Sequence, residues 1–187
     1  MMNLAHGDVA VEIGASRGGG LAHWYFHGFN RVASYEINGF PYETLFREKF
    51  PIDWKMIPSS SLDTDNIISL RKWLGGSKID TLFIDGQKPK FYQDFTHHLN
   101  LMSSTGVVFV HDITSTGEAS WKRIESSGRY ATAKIIDTSE SLEAYQRLAQ
   151  GIGPSNDYEK WLLRWRGRGA GVGVVFLGVP EELHTSP

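Results

Sequence analysis

Residues 9–21 read VAVEIGASRGGGL, and this stretch decides the fold class. Five residues rich in β-branched side chains run without a break into Gly14, and Gly18, Gly19 and Gly20 follow before an apolar, helix-forming segment. A strand that ends in glycines and re-enters a helix is the entry to an α/β unit. Glycine is required there because the backbone turns sharply or approaches a ligand closely. The helix behind such a loop presents unpaired N–H groups to an anion or a carboxylate.

Outward from this point, short β-branched runs alternate with longer amphipathic ones, the pattern of a largely parallel sheet covered by helices on both faces. Strands are expected at 8–13, 31–36, 54–58, 80–85, 105–111, 132–137 and 171–177. Helices are expected at 20–29, from Pro41 onward, from a cap at Asp63 or Thr64 to Gly75, at 90–102 and at 118–126. The fifth strand is nearly continuous in apolar residues, as a strand buried on both faces should be. Residues 138–170 form a helical insertion in what is otherwise a single domain spanning 1–187.

Composition narrows the function classes. With 41% apolar and 21% charged residues the chain has ordinary globular composition. A formal net charge of −2 supplies no electrostatic reason to bind nucleic acid. There is no cysteine, so disulfides, thiolate metal sites and a cysteine nucleophile are excluded. No apolar run is long enough to span a bilayer, and a cytoplasmic location is the expectation.

The glycine spacing departs from the dinucleotide fingerprint G-x-G-x-x-G, because Ser16 stands where its middle glycine would be. A pyrophosphate therefore lacks its usual seat, whereas an amino acid head group needs less room, and Glu12 could order an ammonium group or a water. Glu36, closing the second strand, can accept hydrogen bonds from two ribose hydroxyls. The pair points to an adenosine-containing cofactor.

Four blocks, EIGASRGGGL, YEIN, DTLFIDGQKPKFYQDF and TGVVFVHDI, occur in this order between residues 12 and 113. Together they resemble class I S-adenosylmethionine-dependent methyltransferases. The nearer likeness is to small-molecule O-methyltransferases, including the branch with cephalosporin hydroxylase-like and macrolide sugar methyltransferases. The resemblance implies a Rossmann-like seven-stranded sheet whose last strand, GVGVVFLG, runs antiparallel. It implies that Glu12, Gly14, Ser16 and Gly18 line the methionine half of S-adenosyl-L-methionine. Glu36 would hold the ribose, Ile37 and Ser60 or Ser61 would meet the adenine, and Asp85 and Gly86 would lie beneath the sulfonium.

For the chemistry, the resemblance makes Lys88 a candidate base, its neutral form favoured beside a metal or sulfonium. The bland alternative is a solvated loop lysine. Asp85 and Asp112 end adjacent strands and would share a Mg²⁺, a hard cation that prefers oxygen ligands. Ile113 stands where one related family has a ligand and His111 where another has an acid, so the third ligand is open. His111 itself can be read as ligand, as general base or as a structural histidine. In the insertion, Trp161, Arg164, Trp165, Arg166 and Arg168 could form a lid over a small-molecule acceptor, or pack on the sheet. A homo-oligomer is compatible with this reading. The alternatives are a nicotinamide-dependent oxidoreductase and a cofactor-binding module without catalysis.

Overall fold

The computed structural model describes residues 4–16, 18–114, 116–135 and 171–178. The expected lid at 138–170 lies outside them. Seven strands form one sheet in the order β3-β2-β1-β4-β5-β7-β6. They are β1 (Val9–Ile13), β2 (Arg31–Tyr35), β3 (Asp53–Ile57), β4 (Ile79–Ile84), β5 (Met102–His111), β6 (Ala131–Ile135) and β7 (Val172–Phe176). β7 is antiparallel to both β5 and β6, while the pairs among β1 to β5 are parallel. The expected topology holds, including the reversed final strand.

Five α-helices are described: α1 (Gly19–Phe26), α2 (Glu43–Lys49), α3 (Thr64–Leu74), α4 (Phe91–His98) and α5 (Glu118–Glu125). Asp63 caps α3 by accepting from the Asp65 N–H, and Gly75 ends it in the left-handed region, as the sequence predicts. The single helix expected at 90–102 is instead three pieces. A 3-10 turn at Lys88–Lys90 leads into α4, a second at Leu99–Leu101 follows it, and β5 begins at Met102. Pro89 in the first turn lacks the N–H that a continuous helix would use. Among the described residues, no helix is long and apolar enough to cross a membrane.

Strand parity assigns the two faces. Val9, Val11 and Ile13 of β1 join a core with Leu70, Leu74, Phe91, Phe95 and Trp121, from α3, α4 and α5. Ala10 faces the other way, into a core with Leu21, Trp24, Phe29 and Trp54 against α1. Side chains alternate along a strand, so Glu12 shares the α1 face with Ala10. That parity decides its fate below. At the opposite strand ends, Asp80 accepts from the Asp8 and Val9 N–H groups, and Arg31 bridges Asp53 to the α3 terminus.

Candidate cofactor and acceptor site

A cleft of about 350 Å³ opens at the C-terminal ends of β1, β2, β3 and β4. The chain turns from β1 outward to β2 and β3 on one side, while β4 lies on the other, so the cleft sits at the topological switch point where open α/β sheets bind ligands.

The first end of the cleft is built from backbone. Gly14 has φ +96°, and a Cβ there would stand 2.7 Å from the carbonyl oxygen of Asp85. Only glycine lets the β1 and β4 loops approach this closely. The Glu36 carboxylate, 8% exposed, accepts from the Ser16 N–H at 2.7 Å through one oxygen and the Asn38 N–H at 2.9 Å through the other. Ser16 is held at φ 48°, a region non-glycine residues avoid. Glu36 therefore fixes the loops after β1 and β2 in a single arrangement and presents its remaining lone pairs to the cleft. Ile37 stands beside it, 55% exposed, an apolar surface on the cleft wall.

Two residues expected in this half lie elsewhere. Glu12 is 3% exposed and does not line the cleft; its carboxylate accepts from the Trp24 indole N–H at 3.2 Å beneath α1. Burial is the largest influence on it and raises its pKa to about 8. Gly18 also lies off the cleft. Its φ is +82°, and a Cβ would meet the Phe40 ring at 2.5 Å, so packing of α1 rather than ligand room requires glycine there.

The far wall comes from the loop after β3 and from α4. Ser60 and Ser61 line the cleft as expected, joined by Ser59 and Leu62. Ser61 donates to Asp94 at 2.5 Å, and Ser60 Oγ accepts from the Leu62 N–H at 3.2 Å. Tyr35, Asn38, Gln87, Lys90 and Asp94 also line it, and sequence reasoning missed them. For Asp94 a signal existed: Phe91, Asp94, Phe95 and His98 form the buried stripe of α4, and a carboxylate on an apolar stripe asks for an explanation. His98 is structural, its Nδ1–H donating to the Asp94 carbonyl at 2.8 Å while Nε2 takes the Tyr35 hydroxyl at 3.3 Å. Burial lowers its pKa to about 4 and keeps it neutral.

At the second end Asp85 and Lys88 line the cleft, and they belong to a knot of four charged side chains whose other two members, His111 and Asp112, stand behind them and do not line it. Asp85 follows β4, His111 closes β5, and Asp112 follows it at φ 57°. Lys88 Nζ bonds to Asp85 and lies 2.7 Å from Asp112 Oδ2. His111 Nδ1 stands 3.2 Å from Asp85 and 3.3 Å from Asp112 but with hydrogen-bond geometry to neither. Burial opposes the charge on Lys88, yet the two carboxylates outweigh it and hold the lysine pKa above its ordinary value. The same balance raises His111 to about 9, and burial of Asp112 is overcome so that its pKa falls to about 2. The expected favouring of neutral Lys88 is thus reversed: it is held as an ammonium.

Asp85, His111 and Asp112 offer ligand atoms within 4.8 Å of one another, the convergence expected of a metal site. The residues nonetheless do not fit Mg²⁺ as arranged. The Lys88 ammonium already bridges the two carboxylates a divalent ion would share, and it together with the imidazole answers their charge. A metal would have to expel a half-buried cation first.

Solved structures share this fold. The O-methyltransferase TomG from Streptomyces achromogenes, involved in tomaymycin synthesis, matches at TM-score 0.57 and 15% identity over 94% of this chain and 74% of its own. An O-methyltransferase from Bacillus cereus matches at TM-score 0.61 and 13% identity over 94% and 76%. Precorrin 8w decarboxylase from Methanobacterium thermoautotrophicum matches at TM-score 0.59 and 16% identity over 95% and 87%. The first was solved with S-adenosylmethionine and the second with S-adenosylhomocysteine. No family model matches the chain, and no curated protein matches it by sequence. The likeness establishes a Rossmann-like fold shared with these enzymes; function rests on the site.

Proposed function

We propose that this chain is an S-adenosylmethionine-dependent methyltransferase acting on a hydroxyl oxygen of a small molecule. One observation carries the reading. The cleft at the switch point joins a rigid loop pair centred on Glu36, with an apolar Ile37 wall, to a charged cluster at the ends of β4 and β5. Those are a seat for a nucleoside with a polar tail and, beside it, a seat for a reacting oxygen. Similarity in fold to O-methyltransferases solved with this cofactor supports it.

The residues divide the work. Glu36 accepts hydrogen bonds from ribose hydroxyls, Ile37 and the serines at 59–61 border the base, and Gly14 and Ser16 leave room for the amino acid end. Asp85 and Gly86 floor the cleft between the two seats. The bound cofactor supplies an activated methyl group, so alignment and proton removal are what the protein must add. Lys88 donates to the acceptor oxygen and offsets the charge that oxygen gains as its proton leaves. The proton leaves to solvent; His111, which the two carboxylates hold protonated up to about pH 9, adds a second positive charge to the cluster. No metal step is needed.

Calorimetric titration with S-adenosylhomocysteine and, separately, with NADH tests the reading. The first should saturate one site per chain and the second should not bind. Binding of NADH alone would move the chain to the nicotinamide enzymes. Methyl transfer to a phenol panel in EDTA should match that in Mg²⁺. A requirement for Mg²⁺ would overturn the assignment of the cation's role to Lys88.

A further inference from the structure

The chain builds a cation of its own into the place where two strand-end carboxylates converge. The Lys88 ammonium bonds to Asp85 Oδ1 and stands 2.7 Å from Asp112 Oδ2, bridging the ends of β4 and β5. The rest of the residue is held from several sides. Nζ lies 5.3 Å from the centre of the buried Phe91 ring, a distance at which the ring face attracts a cation. Pro89 follows directly in the 3-10 turn and narrows the backbone choices of the residue before it. The Lys88 carbonyl accepts from Ser120 Oγ of α5 at 3.4 Å. A lysine held by charge alone could swing into water, but this one is fixed along its length.

The groups around it are aimed at the same point. Asp112, at φ 57° in the left-handed region, turns Oδ2 to Lys88 and holds Oδ1 3.3 Å from His111 Nδ1. Asp85 Oδ1 serves Lys88 and stands 3.2 Å from that same nitrogen. Ligand atoms of Asp85, His111 and Asp112 all lie within 4.8 Å of one another. Two carboxylates and an imidazole so close together, with a cation already bound between them, make a cation seat whose occupant is covalently attached. An ammonium needs oxygen contacts of about 2.8 Å and a first-row metal about 2.1 Å, so the seat cannot hold both.

We propose that Lys88 is an internal replacement for a divalent metal, and that removing its ammonium uncovers a latent metal site formed by Asp85, Asp112 and His111. The donor set fixes the class of ion. Carboxylates alone would suit Mg²⁺ or Mn²⁺, but an imidazole beside them favours a first-row transition ion such as Co²⁺ or Zn²⁺. Such an ion would take one oxygen from each aspartate and, as His111 gives up its proton, a ring nitrogen. The inference goes beyond the proposed function and does not depend on it, because the seat can be loaded with neither cofactor nor acceptor present.

Titration of the whole chain with Co²⁺, followed by calorimetry and by the visible d–d bands of the bound ion, is the test. Lys88→Met should bind Co²⁺ roughly tenfold or more tightly than the wild type. It should also develop the bands of a nitrogen- and oxygen-ligated ion and gain Tm on loading. Adding Asp112→Asn to Lys88→Met should abolish the gain, which separates this seat from histidines elsewhere on the chain. Lys88→Arg keeps a cation between the aspartates and should bind as weakly as the wild type. Lys88→Gln removes the charge but keeps a donor, and replaces Lys88→Met in the comparison if thermal melts show that variant unfolded. Equal binding by the wild type and the charge-removing variant overturns the proposal, because the lysine would then exclude nothing. A gain that survives Asp112→Asn overturns it too, because the ion would then sit elsewhere. S-adenosylhomocysteine binding, measured on the same samples, reports on the cofactor reading separately.

Discussion

The two ends of the cleft are held by different physics. At the β1–β2 end, backbone N–H groups from Ser16 and Asn38 grip a buried Glu36, and a glycine contact fixes the β1 loop against β4. At the β4–β5 end, four side chains hold one another by charge, each roughly a quarter to a third exposed. Backbone hydrogen bonds and tight contacts do not rearrange without local unfolding. Partly exposed ion pairs exchange partners more readily than backbone hydrogen bonds do. The first end is therefore suited to binding one ligand in one pose, the second to changing its contacts as an acceptor arrives. Rigidity and reactivity are placed at opposite ends of one cavity.

The sharpest way to break this contrast is at Gly14. Gly14→Ala forces a side chain into φ +96° and against the Asp85 carbonyl. It should cost about 3 kcal/mol, read as a fall of several degrees in Tm and loss of S-adenosylhomocysteine binding. An unchanged melting curve would show that the first end is not rigid.

Next in size is the charged end. Lys88→Met removes the cation between Asp85 and Asp112, and turnover should fall by roughly a hundredfold, about 2.7 kcal/mol. Cofactor affinity should stay within about threefold and Tm within a few degrees, because the cluster is partly exposed to solvent. A variant that lost cofactor binding as severely as turnover would erase the division between the ends.

Glu36→Ala should then weaken S-adenosylhomocysteine by about tenfold or more, roughly 1.4 kcal/mol, by calorimetry. Stability should drop as well, since two loop N–H groups lose their acceptor. If binding held while stability fell, Glu36 would be a loop clamp and no ligand contact.

The last test lies beneath the first end, where the effect depends on pH. The folded pKa of Glu12 is raised to about 8 from 4.5, so the folded state keeps a proton that the unfolded chain releases. That linkage lowers stability progressively as pH rises from about 4.5 to about 8, and has no effect below both values. Glu12→Gln can still accept from Trp24 and cannot ionise. It should therefore be close to neutral at pH 4 and stabilising at pH 8, read as a gain in Tm that grows with pH. Equal effects at the two pH values would mean that Glu12 is ionised in the folded protein.

Much of this was legible in the chain. Strand and helix periodicities are local, so 80–95 and 105–113 could be placed in a parallel sheet without knowing their neighbours, and the Asp63 cap and Gly75 stop could be read directly. The breaks around the fourth helix were not legible, because the 3-10 turns at Lys88–Lys90 and Leu99–Leu101 leave no mark on the local hydrophobic pattern. Cleft residues next to a strand end, Gly14, Ser16, Glu36, Ile37, Asp85 and Gly86, were found because strand ends are where a parallel sheet presents its loops.

By itself, then, the sequence determined the order of elements, the glycine turn and the strand-end acids, all consequences of short-range sterics and hydrophobic alternation. Only the tertiary structure decided that Glu12 turns under α1, that Asp94 comes across from α4 to meet Ser61, and that Lys88 closes on both aspartates. The physical reason is that these are questions of which faces meet. Parity gives Glu12 a side of the sheet but not what covers it. A carboxylate's partner and pKa depend on groups dozens of residues away, brought within 3 Å by strand order and helix packing.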